Sequence, residues 1–406
     1  MRRIVLLLAS MALAMLLACG VALALPSDTP DQTPMVNGTV RAIKHVGTNI
    51  WLGGKFTQVK QRDGTVVAPV SNNLAVFDSQ TNQYKNIAAV PKLGGTDSEV
   101  WDMAIYGDDV LIAGNFTGPT STQKNLVLVD GATGQVIRWY NAPSLKSALA
   151  APDLGRVYGG GVSLTAFDTD SGTKLWTKAK TTVLTTRYPD PPTPGYRDLE
   201  RDGQTIWAAC ACDTVGNAVG GSNPAKALVK LDTEGAPAGS WRAAADSASW
   251  GMSVLKATDG SLYLGTGGSD DLAKYDNGPT ATGARIWVRD TSGSVQVVEE
   301  MDRQLVIGGH FWEVADQQSD DCGHGRSLPD LDPNDVCQTR KGIAAYSFDG
   351  VLDPNWDPLY AGKYSLVWAL DVEPSTSGSR LHTGGEFLKV NRVTQNYYAR
   401  LSPTSP

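Results

Sequence analysis

The chain has 406 residues, with 35 Lys and Arg against 42 Asp and Glu, and its formal net charge of −7 argues against a nucleic-acid partner. That length is too great for one simple sandwich and too small for three ordinary domains. With 43 Gly, 11 Trp and no long run of helix-forming residues after residue 25, the composition is that of a mostly β protein.

The first element is a leader rather than part of the fold. Arg2 and Arg3 precede an apolar run from Ile4 to Ala24 and then the polar Pro26-Ser-Asp-Thr-Pro30, the layout of an export signal over residues 1–24. Cleavage after Ala24 fits the small-x-small rule through Ala22-Leu23-Ala24. Leu16-Leu-Ala-Cys19 can also be read as a lipoprotein box, with Cys19 the acylated residue, although the residues after Cys19 stay apolar where a tether is usually polar. The expected address is extracellular, either secreted or as a cell-surface lipoprotein. Membrane contact is expected only through such an anchor, because no later segment is apolar enough to span a bilayer.

Beyond the leader, a six-residue phrase that ends in a small polar residue recurs seven times. It begins at Asn73, Asn125, Ser163, Ala227, Asp271, Gly342 and Tyr397, and Asn73-Leu-Ala-Val-Phe-Asp78 is its clearest form. Ahead of most copies stands a strand ending in glycines, such as Ile50-Trp-Leu-Gly-Gly-Lys-Phe56, Val306-Ile-Gly-Gly-His-Phe311 and Leu381-His-Thr-Gly-Gly-Glu-Phe387; the fourth copy has the Cys210 segment instead. Further ahead lies an apolar strand, as in Val40-Arg-Ala-Ile43 and Leu366-Val-Trp-Ala-Leu370. Behind each of the first six phrases come a turn and then an aromatic residue, at Tyr84, Trp139, Trp176, Trp241, Trp287 and Trp356.

Four short strands per unit, separated by Gly, Asp and Asn turns, predict a propeller blade. The glycines of the second strand would let neighbouring sheets approach, and the Trp of the fourth would cover the rim. The last unit stops short of a fourth strand, so the segment near Pro30 is expected to supply one and hide both open edges. The expected fold is all-β, a seven-bladed β-propeller of four-stranded blades over residues 25–406, closed by an N-terminal strand and carrying a disulfide-pinned insert at about 313–341.

The Leu-Gly-Gly-x-Phe strand, the Leu-Ala-x-Phe-Asp phrase and the Asp353-Pro-Asn-Trp-Asp-Pro358 tail together resemble the delta-60 repeat family of secreted bacterial β-propellers. The resemblance covers essentially residues 36–402 and is clear in the first, second, sixth and seventh copies. It implies fold and export; no common activity or catalytic residue comes with it.

Four cysteines follow the leader, and an oxidising compartment favours their pairing. Cys322 and Cys337 lie 15 apart in one insert, where a bridge would contribute about 3 kcal/mol. Cys210 and Cys212 are harder to join. Alternate residues of an extended strand sit about 6.5–7 Å apart, so either the strand is bulged there or these are buried thiols.

Within a unit the turns from first to second and from third to fourth strand are short, while the connections from second to third strand and from the fourth to the next unit are long, which places any site on the long-connection face. In the insert, Asp330, Asp332 and Asn334 present oxygens at alternate positions that calcium could use, although the EF-hand Gly and Glu are absent. No other cofactor is indicated. His310 sits in a slot that Lys55, Asn115 and Glu386 fill in other copies, which argues against a catalytic role. His45 and His382 read as structural, and most Trp as packing. Trp312 is the expected exposed exception.

The function expected from these features is a binding or scaffold module whose long-loop face takes a protein or carbohydrate ligand at the cell surface through Trp312, His310, Asp330, Asp332 and Asn334. The chain is expected to be a monomer. The alternative is an extracellular hydrolase or lyase using acidic residues at the channel mouth.

Overall fold

The recurring phrase becomes the third strand of a recurring antiparallel sheet, and its first residue sets the geometry. Asn73, Asn125 and Tyr397 adopt left-handed backbone, with φ of 73°, 67° and 64°. The two asparagines use their side chains as well, Asn73 Oδ1 accepting from Phe56 N–H and Asn125 Oδ1 from Phe116 N–H. Asn is the residue that tolerates this conformation and supplies the acceptor at the same time.

The protein is represented by a computed structural model. It describes residues 25–403 except 70–72, 88, 183–192, 217–221, 225, 238–240, 245–248, 279–281, 318–321, 323–335, 363–365 and 377. Among the described residues the fold is all-β, and seven antiparallel sheets share one strand order. Their first strands are Thr39–Val46, Gly94–Tyr106, Ser147–Ala151, Gly195–Asp202, Trp250–Lys256, Val295–Met301 and Val367–Glu373. Each first strand packs against the first strand of the next sheet, and Val367–Glu373 packs against Thr39–Val46.

A full fourth strand is present in the second, third and fifth sheets, as Val136–Asn141, Lys174–Lys178 and Arg285–Asp290. In the first, fourth and sixth it shrinks to a single bridge, at Tyr84, Pro237 and Leu352. Beside the last strand, Tyr398–Leu401, lies the N-terminal segment: Ser27 N–H donates to Ser402 O and Asp31 N–H to Arg400 O. Trp356 Nε1 donates to Pro26 O, which ties that segment to the sixth sheet's aromatic residue.

The paired glycines have two separate jobs. A Cβ on Gly53 would lie 2.5 Å from Val100 Cγ1 of the next sheet, and one on Gly384 would lie 2.5 Å from Val40 Cγ1. In these pairs the first glycine therefore sets how closely sheets approach. A Cβ on Gly54 would lie 2.0 Å from the Thr39 carbonyl oxygen of its own sheet. The second glycine makes room for a bulge in the first strand.

Much of what reads as long loop is strand. Thr57–Asn72 contains the hairpin Gln58–Lys60 with Val66–Pro69, and the insert contains Glu313–Ala315 with Cys337–Thr339. Cys322 and Cys337 lie at disulfide distance with Cα atoms 5.7 Å apart, and Cys210 and Cys212 likewise at 5.4 Å. Among the described residues no helix is long and apolar enough to cross a membrane.

Candidate functional site

In six of the seven first strands the pairing with the second strand skips one residue. The skipped residues are Arg41, Trp101, Arg197, Met252, Gln296 and Trp368. Ser147–Ala151 pairs without a skip, and there Lys146 immediately precedes the strand. A bulge breaks the two-residue alternation and re-aims a side chain that regular pairing would direct elsewhere. Those six residues and Lys146 line one cavity of about 80 Å³. It lies at the end of the sheets where the second strands run out into their long hairpins.

The cavity is cationic and aromatic. The Arg41 guanidinium sits 4.2 Å from the Trp101 ring centroid and 4.3 Å from that of Trp368, and Lys146 Nζ is 2.9 Å from the Trp101 ring. Arg41 also pairs with Glu99. Burial, then the Arg197 charge, pushes the Lys146 amine down to about 8, with Glu99 opposing and Arg41 adding to the fall. Burial lowers Arg197 too. Four buried polar atoms in this wall have no hydrogen-bond partner among the described residues: Arg41 Nη1, Arg197 Nε, Gln296 Oε1 and Trp368 Nε1. Buried polar groups are rarely left so, because each forfeits its hydration without compensation.

Further along the same strands the chemistry reverses. Asp102 follows Trp101, and its Oδ2 accepts from Ala148 N–H of the next first strand at 2.7 Å. Asp198 follows Arg197, and its Oδ2 accepts from Ser253 Oγ–H and Val254 N–H, both at 2.9 Å. Asp371 Oδ2 accepts from His45 N–H at 2.9 Å. These carboxylates staple neighbouring sheets. Burial, with help from the Asp198 charge, raises Asp102 to about 7. Burial also raises Glu299 to about 7, against the pull of Lys44, and together with Asp198 and Glu299 it raises Glu200 to about 8. Burial works against the Lys44 charge, yet Asp371, Glu299, Asp102 and Asp198 together hold its pKa above the ordinary lysine value.

A second polar chain lies in the seventh sheet. His382 Nε2 is 3.0 Å from Glu373 Oε2 and its Nδ1 2.9 Å from the Tyr398 hydroxyl, while Arg380 donates to Glu373 Oε1 at 2.8 Å. His382 is fully buried, so this chain reads as a strut within the sheet.

The residues singled out from the sequence lie elsewhere. Trp312 is 57% exposed, with Lys341 Nζ 5.7 Å from its ring, and His310 is exposed beside it. Neither lines the cavity. Asp330, Asp332 and Asn334 lie outside the described residues, as do Cys19 and the rest of the leader. No group of three or more His, Cys, Asp or Glu able to hold a metal occurs among the described residues. Sequence reasoning missed the cavity residues. Its available signal was a polar or bulky residue directly after a buried one in successive first strands, as in Val40-Arg41, Val100-Trp101, Val295-Gln296 and Val367-Trp368.

No protein-family model matches the chain, and no curated protein sequence matches it. Among solved structures it is similar to the computationally designed Ika8 protein (TM-score 0.52, 12% identity, 92% of this chain and 99% of that one). It is also similar to Chaetomium thermophilum Raptor (TM-score 0.54, 10% identity, 93% of this chain and 29% of that one). BamB from Moraxella catarrhalis aligns over 91% of this chain and 83% of its own at 13% identity, with a TM-score of 0.44. At these identities the likeness concerns the fold alone.

Proposed function

We propose that the chain is an exported seven-bladed β-propeller of the delta-60 repeat kind that binds a small anion at the mouth of its central channel, on the long-connection face. The packing order of the first strands, the hydrogen bonds of Ser27 and Asp31 to the last strand and the two cysteine pairs support the blade count, the N-terminal closure and the extracellular address. The binding reading rests on one observation: three cations and two tryptophans surround a cavity whose buried polar atoms lack partners.

The hydrolase or lyase reading is weaker, because Asp102 and Asp198 are committed to groups of the neighbouring strand and the described cavity lining contains no carboxylate. Titration of the purified protein with acetate, sulfate, phosphate and galacturonate, followed by tryptophan fluorescence and calorimetry, tests the proposal. At least one anion should bind saturably, more weakly at high salt, and Arg197→Met should lose it. Binding that survives Arg197→Met and disappears in Trp312→Ala would move the site to the insert.

A further inference from the structure

We infer that the channel-mouth cavity recognises a hydroxylated carboxylate, a sugar acid, with Arg41 and Arg197 holding the carboxylate while Gln296 and Trp368 read neighbouring hydroxyls. This rests on the anion-binding reading above and adds what the anion must carry besides charge.

The unpartnered atoms specify more than a negative ligand. Arg41 Nη1, Arg197 Nε and Trp368 Nε1 are donors, and any oxyanion can satisfy them. Gln296 Oε1 is an acceptor. Sulfate and acetate have no proton to give it at neutral pH, whereas an alcohol does, and an alcohol can also accept from the indole. A ligand that satisfies all four therefore needs anionic oxygens and at least one O–H group, which hydrogen phosphate carries on a single centre and a hydroxylated carboxylate carries on neighbouring carbons. Sugar acids combine the two groups.

Size and shape point the same way. About 80 Å³ takes a carboxylate and its adjoining carbons but not a nucleotide, so the rest of the ligand projects toward the long-connection face. The Trp101 ring already faces Arg41 and Lys146, and the Trp368 ring faces Arg41. Met252 contributes an apolar wall, suited to the C–H face of a saturated ring. The local charge supports capture, since Arg41, Lys146 and Arg197 are opposed at the cavity by Glu99 while the chain as a whole carries −7.

The test is calorimetric titration of the purified protein with D-galacturonate, tri-galacturonate, D-galactose, acetate, sulfate and phosphate. Galacturonate should bind about tenfold or more tightly than acetate or sulfate, and galactose should not bind measurably, as expected when a buried acceptor is left unpaired by the simpler anions. Gln296→Met should cut galacturonate affinity about tenfold and acetate affinity much less. Arg197→Lys, which keeps the charge, checks that a loss in Arg197→Met reflects the guanidinium geometry and not misfolding. Tighter binding of the trimer than of the monomer assigns the ligand to a polyuronate, and equal binding assigns it to a free sugar acid. Acetate, sulfate or hydrogen phosphate binding as tightly as galacturonate would falsify the sugar-acid inference and leave the anion site standing. If none of the anions binds, both fall.

Discussion

Trp101 and Asp102 are neighbours, as are Arg197 and Asp198, yet each pair divides between two regions of opposite character. At the mouth, Arg41, Arg197, Gln296 and Trp368 hold polar atoms that nothing in the described protein satisfies. One residue deeper, Asp102 and Asp198 accept hydrogen bonds from the next sheet. The same strands thus carry a satisfied polar layer that joins sheets and an unsatisfied one, which the proposed ligand would fill. A buried polar residue is not in itself a functional signal; the signal is whether its hydrogen bonds are already spent.

Substitutions on either side of this divide should behave differently. The largest effect is expected from Glu373→Ala, which strands His382 and Arg380 in the seventh sheet and should cost about 3 kcal/mol in urea unfolding. Asp198→Ala removes the acceptor of Ser253 and Val254 and should cost about 2 kcal/mol. Arg197→Met, one residue away, should change stability by less than about 1 kcal/mol or raise it, because a buried and poorly paired cation is removed. A loss as large as that of Asp198→Ala would erase the distinction between the layers.

The acid layer also sets a pH dependence. Burial raises Asp102 and Glu299 to about 7 and Glu200 to about 8, so the folded state holds protons that the unfolded chain releases near its ordinary carboxyl values. Stability from these groups is present below about pH 4 and is lost as pH rises toward about 8. Glu373 and the turn carboxylates Asp78 and Asp130 shift the other way and lose their contribution below about pH 4. Melting temperature should therefore peak at mildly acid pH, about 5, and fall toward pH 8, and Glu299→Gln should flatten that fall. The smallest effect belongs to Trp312→Ala: its exposed ring should cost less than about 0.5 kcal/mol in the same urea assay.

The repeating elements were legible because their causes are local. Asn73-Leu-Ala-Val-Phe-Asp78 alternates as a strand must, and Gly53 is explained by the neighbouring sheet it meets. Of the aromatic residues after the phrases, Trp241, Trp287 and Trp356 are buried and Tyr84, Trp139 and Trp176 half-buried. The long connections were read as loops, and several are hairpins, because their short strands carry too little alternation to announce themselves. Trp101 and Trp368 were assigned to packing because they fall inside apolar strands. Their bulges turn them toward the cavity.

Strand periodicity, the glycine pairs and the phrase endings are written in neighbouring residues, so the sequence by itself determined the all-β repeat and the order of its strands. The cavity was decided by tertiary structure. Arg41 and Trp368 stand 327 residues apart, and they meet only because the first sheet packs against the seventh and both strands are bulged at the same height. A bulge depends on the partner strand opposite it, and an unsatisfied atom depends on everything around it, so neither is encoded at any single position of the chain.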